Sequence, residues 1–283
     1  MRSLCKYLLI CLAVLILVTA GAAAFLWQGA AESVPVLNYH QINDTAENAL
    51  TVKVEQFDHQ MQYLADNGYH AITPAEMIDC WERGEQLPDK PVIITFDDGY
   101  IDNYDNAFPI LKKYNLKATI FLISDYVGQY PNYVTWDKAR EMQDSGLIDL
   151  ESHTLSHVEL TKTESREDTL KQLQGSSEAL LYHLKKPARF IAYPCGSYDE
   201  TVERLTEESG YRAAFTVNYG LASPKEDQRF VLNRIPIFGC IGHTFLRFRL
   251  RLEFAPILTP VNALKEQLAQ KGYEGLSDLI PMP

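Results

Sequence analysis

The feature that most constrains this chain is a repeated alternation of short apolar runs with stretches of helical spacing. Residues 90–96 (KPVIITF) and 117–123 (KATIFLI) are unbroken β-branched and aromatic runs, the pattern of strands buried on both faces. VPVLNYH (34–40), IDLES (148–152), ARFIAYP (188–194) and YRAAFTV (211–217) read as further strands. Between them the spacing predicts helices. One covers 55–67, with Phe57, Met61 and Leu64 on a single face and Asn67-Gly68 as its stop. Others fall around 103–114, over 135–145 and over 164–186, the last with Leu170, Leu173, Leu180 and Leu184 inward. A final one lies near 199–209, ended by Gly210. Such alternation implies α/β architecture, a parallel sheet with helices packed outside it. Roughly 250 residues is also the usual size of a (β/α) barrel, so a closed or nearly closed barrel is expected rather than an open sheet. No internal repeat or linker interrupts 32–245, which is read as one domain, with 246–283 a C-terminal extension. Within that extension, 246–254 alternates strictly between apolar and charged residues, the period of a half-buried strand. A basic stripe lying on a membrane is the alternative. Residues 260–283 read as a short helix and tail.

Ahead of the domain, residues 7–31 carry no charged side chain, while Arg2 and Lys6 stand just before them. The apolar run 7–27 is close to the ~20 residues that cross a bilayer as a helix. A secretory signal peptide would have a shorter apolar region, with small residues such as Ala20–Ala24 at its cleavage site. An uncleaved anchor, with the two basic residues on the cytoplasmic side, accounts better for the length. Either way 1–31 directs export, and the remainder works outside the cytoplasm, secreted or held at the membrane through 7–27. Lys plus Arg number 26 against 37 Asp plus Glu, a net of −11, which argues against a general nucleic-acid binder. Beyond the apolar segment stand Cys80, Cys195 and Cys240. Without a CxxC they support neither a disulfide framework nor a cysteine zinc site, although one pair could form.

Three clusters lie at strand ends, where parallel α/β folds gather their chemistry. Asp97 and Asp98 leave the strand 90–96 side by side, followed by Gly99. Two adjacent carboxylates at a buried strand end repel and resist desolvation, so the pair makes sense if a cation shares the site. A cap on the following helix is the plain alternative. His153 and His157, four apart just past the strand 148–152, can offer two imidazole nitrogens to one metal. The zincin protease pattern needs Glu after the first His, and Thr154 stands there, so a protease is disfavoured. Taken with the aspartate pair, the joint reading is a two-His, one-carboxylate divalent metal site. Tyr193-Pro194-Cys195-Gly196 ends another strand and, read alone, is no more than turn chemistry.

TFDDG, then HTLSH, then YPCG at a strand end resemble the NodB-type polysaccharide deacetylases, carbohydrate esterase family four. The likeness covers roughly 34–240 through PVLNYH, GYHAIT, KPVIITFDDGY, KATIFLI and FIAYPCG, and is closest to the branch of poly-N-acetylglucosamine deacetylases. The resemblance implies a distorted (β/α) barrel over 32–245. It implies hydrolysis of N-acetyl groups on an extracellular amino-sugar polysaccharide, whether poly-N-acetylglucosamine, chitin-like or peptidoglycan. It also implies a divalent metal, usually zinc with cobalt or nickel as options, held by Asp98, His153 and His157. Asp97 would be the base that takes a proton from the attacking water. His40, ending the early YH motif, would be the acid that protonates the departing amine, with His243 a rival. The backbone N–H of Cys195 would help hold the oxyanion, and Tyr193 would line the substrate site.

Departures from the family pattern matter. Ala192 stands where many members place an Arg that orients the base, and Arg234, in LNRIPI, is the substitute. Cys195 replaces the usual Tyr. Trp136 is a candidate for stacking on a sugar ring, with packing at a helix start the alternative. His59 is expected to be solvated; His70 and His183, surface or satisfied core. The rival functions are O-deacetylation of xylan or peptidoglycan, and a non-catalytic carbohydrate-binding protein of the same fold.

Overall fold

In the computed structural model, residues 32–225, 228–239 and 244–280 are described, together with Gly21. The apolar segment apart from Gly21, and also Cys240 and His243, lie outside them. Among the described residues no helix is long and apolar enough to cross a membrane.

Seven strands close a parallel barrel: β1 (Val36–Tyr39), β5 (Pro91–Phe96), β6 (Ala118–Leu122), β7 (Ile148–Ser152), β8 (Phe190–Ala192), β9 (Ala213–Tyr219) and β10 (Leu232–Pro236). Neighbours pair in sequence order from β5 to β10, and β1 closes the ring by pairing with both β10 and β5. Tyr39 lies opposite Phe96, and Leu37 opposite Ile235. A short β4 (His70–Ala71) adds to the outside edge of β5, and β2 (Gln41–Ile42) pairs with β3 (Thr51–Val52) apart from the barrel.

Strand parity sorts the core into two layers. One cluster holds Val36, Ile93, Phe121, Phe190, Ala192, Phe215 and Leu232, the inward residues of the barrel. The other holds Leu37, Tyr39, Ile94, Phe96, Ile120, Leu122 and Leu150 against Phe57, Met61, Leu173 and Leu180 of the surrounding helices. Met77 and Ile78 belong to the inner cluster, so the helix Pro74–Arg83 closes the N-terminal end of the barrel. That helix is not among the elements predicted from the hydrophobic spacing. Thr73 caps it through a reciprocal pair with Glu76, and Gly84 ends it in the left-handed conformation, a complete start and stop signal.

The other predicted helices form over Val54–Asp66, Trp136–Asp144, Arg166–Leu184 and Glu200–Glu208. The predicted helix at 103–114 begins as a π-helical turn, Asn103–Ala107, before α geometry takes over at Phe108–Tyr114. Between β7 and β8 the ladder is thin. The buried Glu151 carboxylate takes the place of a strand, accepting N–H bonds from Arg189 (2.7 Å) and Phe190 (2.9 Å).

The expected strand at 246–254 is a helix, Phe245–Glu253. The period of two misleads there because alternate apolar residues also include pairs four apart. Phe248 and Leu252 face inward, while Leu246, Leu250 and Phe254 face solvent. Arg249 pairs with Glu253 one turn on, and Arg251 donates to the Pro236 carbonyl at 2.6 Å. The next helix, Ala255–Gln270, starts before the predicted position. Both are fastened to the barrel, for instance by the Tyr219 hydroxyl on the Arg251 carbonyl (3.0 Å).

Candidate active site

At the C-terminal end of β5 the chain leaves the barrel through Asp97-Asp98-Gly99. Asp97 keeps the inward parity of Ile93 and Thr95. Asp98 (φ 72°) and Gly99 (φ 78°) then both take left-handed geometry, which swings the second carboxylate away from the first. Glycine suits the positive φ at position 99, where a Cβ would lie 2.5 Å from Leu122 Cδ2 and force that buried side chain to shift.

Asp97 is buried and accepts two parallel bonds of 2.7 Å from Arg234 Nη1 and Nη2. Arg234 is itself fully buried, its Nε on the Thr216 carbonyl at 2.7 Å. Asn38 Nδ2 adds a longer bond of 3.3 Å to Asp97. Burial alone would raise the Asp97 pKa, but Arg234, helped by His153, outweighs it and holds the carboxyl well below the usual range.

Opposite stand the histidines of the loop after β7. His153 Nδ1 donates to the Ala192 carbonyl at 2.8 Å, because a carbonyl can only accept. Its Nε2 therefore offers a lone pair. That nitrogen lies 3.4 Å from Asp98 Oδ1, and His157 Nε2 lies 3.4 Å from the same oxygen. The candidate ligand atoms of all three residues fall within 4.8 Å of one another. Three electron-pair donors aimed at one point repel unless a cation, or a proton, stands between them. Burial disfavours a charged His153, yet Asp98 and Asp97 overcome burial and raise its pKa. The donor set thus fits a divalent ion with open positions.

The loop is held in strain. Thr154 (φ 67°) and His157 (φ 60°) are left-handed, a conformation that persists only where the surroundings over-determine it. Here Thr154 Oγ1 accepts from the His157 N–H (3.1 Å) and Ser152 Oγ from the Thr154 N–H (3.1 Å). Gln172, from the long helix behind, accepts from the Ser156 N–H at 3.0 Å. Ser176 on the same helix bonds Ser152 (2.8 Å) and Ser124 (2.6 Å).

His40 follows β1 and places Nε2 3.9 Å from Asp97 Oδ2. Burial lowers its pKa, with Asp97 and Asp98 pulling the other way. Its main-chain carbonyl accepts from Asn103 Nδ2 at 2.8 Å, and Asn103 also bonds Asp102 (3.0 Å). Asp102 in turn accepts from Asn43 at 2.7 Å. The π-helical turn after the aspartate pair thus fastens the loop that carries His40, and such turns recur at functional sites. Cys195 is exposed, a free thiol at φ 55°. Partial desolvation and the Glu159 and Asp98 charges raise its pKa.

Two expected substrate contacts are not brought to this cluster. The Tyr193 ring is fully buried, its hydroxyl 3.4 Å from Thr206 on the helix outside the barrel, so no substrate can reach it. Trp136 is stacked on His183, with 4.1 Å between centroids. His183 lies at the end of Arg166–Leu184 nearest the N-terminal end of β8, opposite the site, so helix packing takes that ring. His59 is exposed, stacked on Phe245 at 3.9 Å, and His70 is a surface residue on the Asp89 carbonyl. Cys80 is also a free thiol. Asn38, Asn103, Gln172 and Ser176 escaped the sequence reading. The available signal was polarity inside apolar stripes, as with Asn38 within β1 and Ser176 between Leu173 and Leu180.

Comparison with known proteins agrees with this arrangement. The polysaccharide deacetylase family profile matches residues 84–214. YxkH of Bacillus subtilis, whose own name carries only that family assignment, is 35% identical over 212 residues, 75% of this chain and 74% of YxkH. The chain belongs to the polysaccharide deacetylases. Among solved members, the Streptococcus pyogenes deacetylase PplD, determined with acetate, superposes with a TM-score of 0.69. It is 31% identical, covering 73% of this chain and 93% of PplD. IcaB from Ammonifex degensii superposes at 0.67 with 25% identity, over 79% of this chain and 97% of IcaB. The poly-β-1,6-N-acetyl-D-glucosamine N-deacetylase of Staphylococcus epidermidis is 31% identical over 188 residues, 62% of this chain and 65% of that enzyme. The aligned region thus spans slightly less than two thirds of the staphylococcal protein. This deacetylase is a hydrolase of that family, its (β/α) barrel shared with solved members.

Proposed function

We propose that this deacetylase removes N-acetyl groups from an amino-sugar polysaccharide with the help of a divalent metal, with a poly-β-1,6-N-acetylglucosamine as the favoured polymer. The observation that carries the reading is the convergence of Asp98, His153 and His157 beside an Asp97 that Arg234 holds ionised. The polymer is suggested by the staphylococcal relative's name.

Asp98, His153 and His157 would hold the metal, zinc by its donor set with cobalt or nickel as alternatives. When bound, the ion acidifies a water and polarises the acetyl carbonyl. Asp97 would receive the proton of the attacking water. Its low basicity, set by Arg234, suits a water already acidified, and the fixed guanidinium keeps both carboxylate oxygens oriented. His40, whose Nε2 lies 3.9 Å from Asp97 Oδ2, would deliver a proton to the amine as the C–N bond breaks, since an amide anion is too poor a leaving group at neutral pH. The Cys195 backbone N–H would assist the developing oxyanion.

Acetate release from β-1,6-linked N-acetylglucosamine oligomers by the zinc- or cobalt-loaded protein tests the reading. It should vanish with a chelator, return with metal, and be lost in Asp97→Asn at unchanged metal content. Metal-loaded protein that releases no acetate from this oligomer, from chitooligosaccharides or from peptidoglycan would sink it.

The reading places the domain outside the cytoplasm, tethered or released according to whether the apolar segment is cleaved. Val34 precedes β1 and bridges to Ala222, at the opposite end of the barrel from the metal-ligand cluster. N-terminal sequencing of the mature protein and membrane fractionation test the cleavage and the tether.

A further inference from the structure

Beside the metal-ligand cluster four tyrosines form one contiguous group. Tyr100 stacks on Tyr133 with 5.0 Å between centroids and 24° between planes. Tyr126 meets Tyr133 edge-on at 5.0 Å and Tyr130 at 5.1 Å, and Tyr130 lies 6.2 Å from Tyr133. Three belong to the segment 123–135 between β6 and the helix Trp136–Asp144. The fourth, Tyr100, stands two residues past Asp98.

The segment is strapped to both ligand loops by its backbone. Tyr100 and Tyr133 form an antiparallel bridge. Ile101 N–H donates to Asn132 (2.9 Å) and Val134 N–H to Gly99 (3.0 Å). At its other end Asp125 N–H donates to Leu155 (2.8 Å) and Ser124 N–H to Thr154 (3.3 Å). The group is therefore rigid and fixed relative to the candidate ligands. It is not core: Tyr130 is 52% exposed, and Tyr100, Tyr126 and Tyr133 are partly open.

We propose that this tyrosine group is the platform for sugar units flanking the one that reacts. The inference rests on the deacetylase reading for its ligand class. Phenol rings present a flat apolar face to the C–H groups of a pyranose and a hydroxyl to its polar rim, at low entropic cost because each ring has only two side-chain torsions. A pre-assembled set of such rings next to the reacting position suits a chain of sugars better than a single small amide. It selects by ring shape and linkage rather than by charge.

The test is calorimetric titration of the full-length, metal-loaded protein with a β-1,6-linked N-acetylglucosamine pentamer and with chitopentaose. Tyr130→Ala and Tyr133→Ala should each weaken binding of the preferred pentamer by up to about tenfold. Tyr130→Phe should retain it, because stacking rather than the hydroxyl supplies the contact. Tyr130→Ala should melt at the wild-type temperature. Tyr182→Ala, at an exposed tyrosine remote from the site, is the control and should bind normally. Unchanged affinity in both alanine variants overturns the platform, as does an equal loss in the control or a wild-type protein that binds neither pentamer. Tyrosine-dependent binding with no acetate released from these pentamers or from peptidoglycan would instead overturn the proposed function and leave the platform standing.

Discussion

Arg234 meets Asp97 through two parallel contacts of 2.7 Å in a part of the barrel where neither side chain is open to water. The two residues stand 137 positions apart in the chain, on strands separated in the ring only by β1. A planar, two-pronged cation fixes both the charge and the direction of the carboxylate, which an ammonium cannot do.

Arg234→Lys should therefore keep the buried charge but lower turnover by about 100-fold at unchanged metal content. Arg234→Met should in addition lower stability by about 3–5 kcal/mol, the scale for removing one partner of a buried pair. Acetate release, elemental analysis and denaturant titration check these outcomes. Wild-type turnover in Arg234→Lys would show that orientation of Asp97 is irrelevant.

His157 is the most accessible of the three candidate ligands, 31% exposed against 3% for His153. His157→Ala should fold normally yet retain less than half of the wild-type zinc after dialysis against a weak chelator. Stoichiometric zinc in that variant would remove His157 from the metal site.

Asn103 holds the His40 backbone from the π-helical turn. Asn103→Leu should lower kcat by about tenfold, the net scale of one lost buried hydrogen bond, with KM and metal content nearly unchanged. The pH–rate profile should move on its alkaline side, where loss of the proton from His40 limits the reaction. A pure KM effect, or no effect, would detach this contact from the proposed acid.

Glu76 offers a pH-dependence far from the site. Burial raises its pKa, but Lys117 and the Thr73 N–H (2.8 Å) outweigh burial and hold it below the ordinary value. A carboxyl depressed in the folded state contributes stability that is present above its unfolded pKa of about 4.3 and is lost as pH falls through the lower folded value. Glu76→Gln should melt below wild type at neutral pH, with the gap closing as pH drops below the ordinary carboxyl range. The pair is 38% and 44% exposed, so the neutral-pH gap should stay under about 1 kcal/mol. A gap that widens in acid would contradict the assignment.

Much of this was legible in the sequence. Strands buried on both faces announce themselves by unbroken apolar runs, and β5, β6 and β7 formed within a residue of the expected bounds. The acidic pair and the two histidines were visible because polar residues cluster where a buried strand ends. What stayed hidden depends on through-space partners. A lumenal Arg234 cannot be told from a surface arginine without knowing that β10 runs beside β1. Tyr193 and Trp136 sit in suggestive sequence positions, yet strand parity and helix packing turn their rings away. The alternation at 246–254 reads as a strand because a period of two also satisfies contacts four apart, and only Thr244 capping the Arg247 N–H at 3.3 Å marks the helix start.

The segment 123–135 grips the aspartate loop with one end and the histidine loop with the other. Under the proposed function, polymer preference and ion retention would thereby be coupled. Insertions or deletions in this strap, even with every ligand intact, ought to disturb both properties at once. Exchanging the outward ring of Tyr130 alone touches only the first, so a homologue with a longer or shorter strap is where an altered cofactor appetite is to be sought.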